Sequence, residues 1–335
     1  MPEATSSNSI KEALESQKPK NKEPVSKRVL DSWIDKIENT IPDERSGRLA
    51  WLVASTVVTA AMQKAVDGDG QSRFLMKGGT LLQHRLGDAA RSTRDLDGMV
   101  RGDLDDFISS LDIVLQEQWG PLQLVRGDVE IIETPAKIIK PRAFTISIIL
   151  KGETWRKINV EISPEEGEAG AEQEYVRPPA FGGLGLPTPE MLVTLAMRYQ
   201  IAQKVHSATD PHDPPEYVNN RPRDVVDLLL IRDLVQETGE PSPGRIREAI
   251  IDVFTARAVE AARLGRQTRS WPARIVALPN WFADYPAAAE AAGLELTLEQ
   301  TVNQANKWLD KIDNSLTEIR EAIANDKQDA DACID

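Results

Sequence analysis

Along the first part of the chain, apolar residues return at three- and four-residue intervals, the period of a helix with one buried face. This spacing predicts helices over Arg28–Asn39 and Arg45–Val66. Phe74-Leu75-Met76 reads as a short strand, Gly78-Gly79 breaks it, and helical spacing resumes over Thr80–Leu86. Asp95–Val100 reads as a strand and Leu104 to Gln118 as a helix. Three runs rich in β-branched residues, with period-two alternation, read as further strands: Leu122–Glu133, Phe144–Leu150 and Arg156–Ile162.

The pattern changes after a glutamate-rich loop. Phe181–Pro187 is a Gly/Pro linker, followed by Thr188 as a natural N-cap and Pro189 at a first helical position. Beyond it the spacing is helical over Glu190–His206, Arg223–Thr238, Pro243–Leu264 and Leu296–Ala324. The expected organisation is therefore four parts. Residues 1–27, rich in Lys, Glu, Ser and Pro, are expected to be disordered. Residues 28–184 form a mixed α/β lobe and 185–325 a helical lobe. Residues 326–335 form a frayed acidic tail.

Charge and composition narrow the function classes. A net charge of −13 argues against a surface that coats nucleic acid. The charge is uneven, however. Between Pro135 and Val160 six basic residues (Lys137, Lys140, Arg142, Lys151, Arg156, Lys157) face one acid, Glu153. Between Arg257 and Arg274 there are five arginines against Glu260, with Trp271 among them. Leu49 to Met62 is too short an apolar run to span a bilayer, and no signal-peptide pattern opens the chain. The lone cysteine, Cys333, excludes disulfides within the chain and cysteine-ligated metals. These features lead to the expectation of a cytoplasmic protein with no membrane association.

Chemistry concentrates in a few places. In a strand, residues two apart share a face, so Asp95 and Asp97 project into one space. Adjacent carboxylates repel, and a divalent cation holds both ionised; Mg²⁺ or Mn²⁺ suits such oxygen donors. Asp-x-Asp alone is common by chance, and its plain alternative is a solvated strand end. Strand, paired glycines, hydroxyl residue and helix over Phe74–Thr80 strengthen the case. Gly78 and Gly79 let backbone approach a triphosphate, Thr80 adds a hydroxyl, and Lys77 adds positive charge. The spacing matches neither a Walker loop nor a Rossmann fingerprint, so a tight strand-to-helix turn is the competing account.

Glu161 is the best third carboxylate, since alternation places Lys157, Asn159 and Glu161 on one strand face. In the helical half, Asp224 and Asp227 lie on one helical side, and Asp224 is placed to orient Lys204 for a phosphate or the base-bearing end of a nucleotide. His84, His206 and His212 lack zinc spacing, and His84 and His206 read as ordinary helix residues. No serine-histidine-aspartate arrangement stands out.

Taken in order, Lys77-Gly-Gly-Thr80-Leu-Leu, Arg91-Ser-Thr93-Arg-Asp95-Leu-Asp97, Ile201-Ala-Gln-Lys204-Val-His206 and Arg221-Pro-Arg-Asp224-Val-Val-Asp227-Leu resemble the AbiEii/AbiGii toxin family of nucleotidyltransferases. The resemblance covers roughly Phe74 to Leu234. It implies a DNA polymerase β-like α/β (α+β) fold and a metal-dependent nucleotidyltransferase. It also implies a toxin of abortive infection or growth arrest restrained by a cognate antitoxin, with an NTP as substrate and the 3′ end of tRNA as acceptor. Lys77, Asp95, Asp97, Lys204 and Asp224 match motif positions, and Arg91 lies within the second motif. Glu161 stands where the family usually has an aspartate. Nucleotidylation of a protein or small molecule, and a catalytically silent partner-binding module, are the competing functions.

Overall fold

The computed structural model describes residues 10–41, 47–91, 93–215 and 217–332, with backbone alone for Asp88 and for 316–332. Met1–Ser9, the expected helix start at Arg45, Ser92 of the second motif and Cys333 lie outside the described residues. Contacts divide the chain into two units, Met1–Ala196 and Met197–Asp335.

Among the described residues, the first unit is built on one mixed sheet of eight strands. Its strands are β1 (Phe74–Lys77), β2 (Asp95–Val100), β3 (Leu122–Arg126), β4 (Glu130–Ile131), β5 (Arg142–Leu150), β6 (Glu153–Pro164), β7 (Gln173–Val176) and β8 (Leu192–Leu195). They run in the order β3-β5-β6-β2-β1-β8-β7, with β4 beside β5. β2 is antiparallel to β1 and parallel to β6, and β1 is parallel to β8. Lys151 (φ 51°) and Gly152 (φ 82°) make the tight turn between β5 and β6, both in the left-handed region such hairpins require.

Among the described residues, five α-helices belong to this unit: α1 (Ile10–Glu15), α2 (Lys27–Glu38), α3 (Arg48–Met62), α4 (Gly78–Leu86) and α5 (Leu104–Val114). Period-two alternation gives the sheet one apolar face. Leu96, Val100, Ile146, Ile158, Val160 and Ile162 share a buried cluster with Leu30 and Ile34 of α2 and Val53 and Val57 of α3. Phe107 of α5 stacks on Phe74 with ring centroids 6.2 Å apart. The Phe74 ring lies directly under Gly98, where any added Cβ would overlap it.

Three expectations need correction here. Ile10–Ser26 is ordered rather than disordered, because Ile10, Ala13 and Leu14 are buried in the cluster and Lys20 N–H donates to the Gly182 carbonyl at 2.9 Å. The Gly/Pro linker is packed into the unit: Phe181, Leu184 and Leu186 are buried, and a Cβ at Gly183 would strike Gln17. Its glycines are the surface on which the N-terminal segment crosses. Finally, the helix expected from Glu190 begins only at Met197, because Leu192–Leu195 is strand β8 between β1 and β7. The unit boundary moves from 185 to 196/197 for the same reason.

The second unit is helical: α6 (Met197–Ala208), α7 (Pro222–Thr238), α8 (Pro243–Arg263), α9 (Trp281–Ala291) and α10 (Leu298–Ala332). α6 packs on α7 and α8, and α10 on α7, α8 and α9. Ser242 caps α8 by accepting from the Arg245 amide, and Pro243 follows at the first helical position. Gly239, at φ 75°, ends α7. Among the described residues, no helix is long and apolar enough to cross a membrane.

Candidate active site

Strand register brings the predicted residues of the first unit together. Asp97 pairs with Lys77 of β1 on one side and with Glu161 of β6 on the other; Asp95 pairs with Asn159. Paired residues share a face, so Lys77, Asp97 and Glu161 form a row across three strands, with Asp95 and Asn159 in the next row. Asp95 and Glu161 are exposed and Asp97 is half-buried. Further along the same face, Leu75 and Met99 are buried, so the polar row is confined to one end of the strands.

The glycines of the Lys77–Thr80 segment have a local structural cause. Gly78 has φ 69°, and a Cβ there would collide with the Asp97 carboxylate. At Gly79 a Cβ would lie 2.9 Å from Thr93 Cβ. Both glycines therefore admit the β2 segment against the start of α4, whose partially positive end lies beside Asp97. Thr80 is fully buried, and its hydroxyl donates to the Asp95 carbonyl at 3.1 Å. That hydroxyl fixes the start of β2, which corrects the expectation that it faces a phosphate. Lys77 Nζ donates to Ser163 Oγ at 2.7 Å, a partner on β6 that no sequence motif marked. Arg91 is half-buried in the loop before β2.

Among the described residues, no group of three or more His, Cys, Asp or Glu side chains is arranged to hold a metal ion. The strands instead supply Asp95 and Asp97 on one face, with Glu161 in register beside Asp97. Such a hard-oxygen donor set fits Mg²⁺ or Mn²⁺ when phosphate oxygens and water complete the shell.

The Lys204 motif belongs to the second unit and has a different character. Lys204 is 7% exposed, with Nζ 2.8 Å from Asp224 Oδ1 and 2.7 Å from Asp227 Oδ2. Burial alone would lower the Lys204 pKa, but the charges and hydrogen bonds of the two aspartates outweigh it and raise the value above that of an ordinary lysine. Asp227 is fully buried and is an equal partner, where sequence reasoning had assigned the orienting role to Asp224.

The family model for the nucleotidyl transferase AbiEii toxin of the type IV toxin–antitoxin system matches residues 60–306. The chain belongs to this family. It is thus a nucleotidyltransferase toxin, an enzyme of the transferase type, in a family whose members have cognate antitoxins. Among solved structures, MenT4, a nucleotidyltransferase toxin from Mycobacterium tuberculosis H37Rv, matches with a TM-score of 0.44 and 14% identity, covering 86% of this chain and 99% of that one. No curated protein sequence gives a match.

The basic stretches fare differently from the motifs. Arg269 contacts His206, Asp210 and the Thr209 carbonyl, and Arg257 lies 3.0 Å from His206 Nδ1. Arg274 pairs with Asp310 at 2.9 Å. In the other stretch, Lys137 pairs with Glu166, Arg142 with Asp105 and Arg156 with Asp31. Much of the positive charge of these two stretches is therefore paired within the chain, partly buried at Arg269 and at the surface for Arg274. His206 is part of that buried cluster, with the Phe254 ring 4.6 Å away, rather than an ordinary helix residue.

Proposed function

We propose that this enzyme transfers a nucleoside monophosphate from an NTP to an acceptor hydroxyl, releasing pyrophosphate, and that its face is the row of Lys77, Asp97 and Glu161 with Asp95 beside it. The observation that carries this reading is the register that aligns these residues on neighbouring strands. Asp95 and Asp97 would hold Mg²⁺ or Mn²⁺, with Glu161 adjoining. A bound metal lowers the pKa of the attacking hydroxyl and offsets charge on the phosphates. Lys77, steered by Ser163, adds positive charge beside Asp97. The start of α4 brings its partial positive charge to the same place. In the helical unit the resemblance assigns nucleotide handling to Lys204 and Asp224, and the raised pKa keeps Lys204 charged at neutral pH.

The proposed acceptor is the 3′ end of tRNA, so that modification blocks translation in the cytoplasm until an antitoxin intervenes. A protein or small-molecule acceptor is the second reading. It is favoured by the net charge of −13 and by the internal pairing of Arg257, Arg269 and Arg274.

The test is incubation of the purified protein with Mg²⁺ or Mn²⁺, each α-³²P-labelled NTP in turn, and total tRNA. Label is expected on tRNA and is expected to fall roughly a hundredfold or more in Asp97→Asn, with folding unchanged by circular dichroism. A folded, fully active Asp97→Asn protein would sink the site assignment. Label on lysate protein or a small molecule instead of tRNA would keep the chemistry and replace the acceptor. No transfer anywhere, together with no metal-dependent NTP binding, would favour a silent binding module.

A further inference from the structure

A recess apart from the carboxylate row lies in the first unit, at the C-terminal end of α4. It is a cavity of about 50 Å³ lined by residues of α1, of the start of α3, of the end of α4, and of the segment after β7. Three of the lining residues are cations: Lys11, Arg48 and Arg177. Among the described residues no acidic side chain lines it, and neither Lys11 nor Arg177 has an ion-pair partner. Arg48 donates to the Ala90 carbonyl at 3.1 Å, which holds the guanidinium in place without neutralising it. Gln83 Oε1, also at the wall, is buried and accepts no hydrogen bond among the described residues. Ile10 and Leu52 give the rest of the wall an apolar character. His84 adds no charge near neutral pH, because burial, and secondarily the Lys11 charge, lowers its pKa to about 4.

A ligand that answers every one of these features has several oxyanion acceptors, one O–H donor and a small apolar body. We infer that this cavity binds a phosphate monoester of a small organic molecule. Its phosphate oxygens meet Lys11, Arg48 and Arg177, a hydroxyl donates to Gln83 Oε1, and the organic part lies against Ile10 and Leu52. The anion pairs with the three cations, and the hydroxyl removes the cost of the unsatisfied buried carbonyl. The volume admits the phosphate and leaves the organic part toward the mouth. The site is distinct from the carboxylate row, since its residues are at the other end of α4.

Isothermal titration of the full-length protein without divalent cations tests this, using 4-(hydroxymethyl)phenyl phosphate, inorganic phosphate and benzyl alcohol as probes. 4-(Hydroxymethyl)phenyl phosphate is expected to bind at one equivalent, inorganic phosphate more weakly, and benzyl alcohol not at all. In the double variant Lys11→Met/Arg177→Met, whose substituted positions are exposed and make no ion pair to lose, the affinity is expected to fall about tenfold or more. Retained binding in Lys77→Ala separates this cavity from the carboxylate row. Equal affinity for inorganic phosphate would assign the cavity to the free anion and overturn the ester. Absence of binding, or binding unchanged by the double variant and lost in Lys77→Ala, would overturn the site itself.

Discussion

The row on the sheet and the clamp in the helical unit both hold charged side chains, but by opposite means. Asp95, Asp97 and Glu161 are aimed by strand register, and their bearing strands are fixed from the apolar side, so exposure costs them nothing. Lys204 and Asp227 are buried, Asp224 is partly buried, and both aspartates pair with the lysine. Register orients a group through its backbone; mutual pairing orients it through its side chain. The comparison teaches that one family's motif positions can fix charge by strand register in one unit and by mutual pairing in the other.

The largest expected effect breaks the clamp. Lys204→Met leaves the buried Asp227 and the partly buried Asp224 without their cation and is expected to cost roughly 3–5 kcal/mol, measured by urea unfolding. An unchanged midpoint would make the clamp an open site like the row. The pH dependence has a definite sign. Because the folded-state pKa of Lys204 is raised, its contribution is fully present below about pH 10 and is lost as pH rises through the higher folded-state value.

A smaller effect tests how the row is supported. Gly98→Ala forces a methyl into the Phe74 ring and is expected to destabilise by about 1–3 kcal/mol, with activity falling because Asp97 shifts with its strand. The smallest change in stability belongs to the row itself. Glu161→Gln is expected to stay within roughly 0.5 kcal/mol of the parent in unfolding while lowering nucleotide transfer. A large loss of stability there would show that the row is structural too.

Much of this architecture was legible because its signals are local. Asp95-Leu96-Asp97 alternates, Ser242-Pro243 opens a helix, and Phe74 to Gly79 changes from strand to helix within six residues, all of which the structure contains. What escaped depended on partners distant in sequence. Leu192–Leu195 is short and almost wholly buried, so periodicity does not separate it from a helix, and Thr188-Pro189 just ahead resembles a helix start. Ile10 and Leu14 are sparse anchors in a charged stretch, and only the surface formed by Gly182–Gly185 shows why they dock. Thr80 and Ser163 carry no motif that separates a hydroxyl tying down a strand or a lysine from one offered to a ligand.

The parallel pairing of β2 with β6 also sets a timetable. A chain leaves the ribosome N-terminus first, so Asp95 and Asp97 emerge well before the strand that brings Glu161 alongside them. The strand beside β1 on its other edge, β8, emerges later still. Until both have been made, β1 and β2 have only each other. For most of the synthesis of the first unit, the row of Lys77, Asp97 and Glu161 is therefore incomplete.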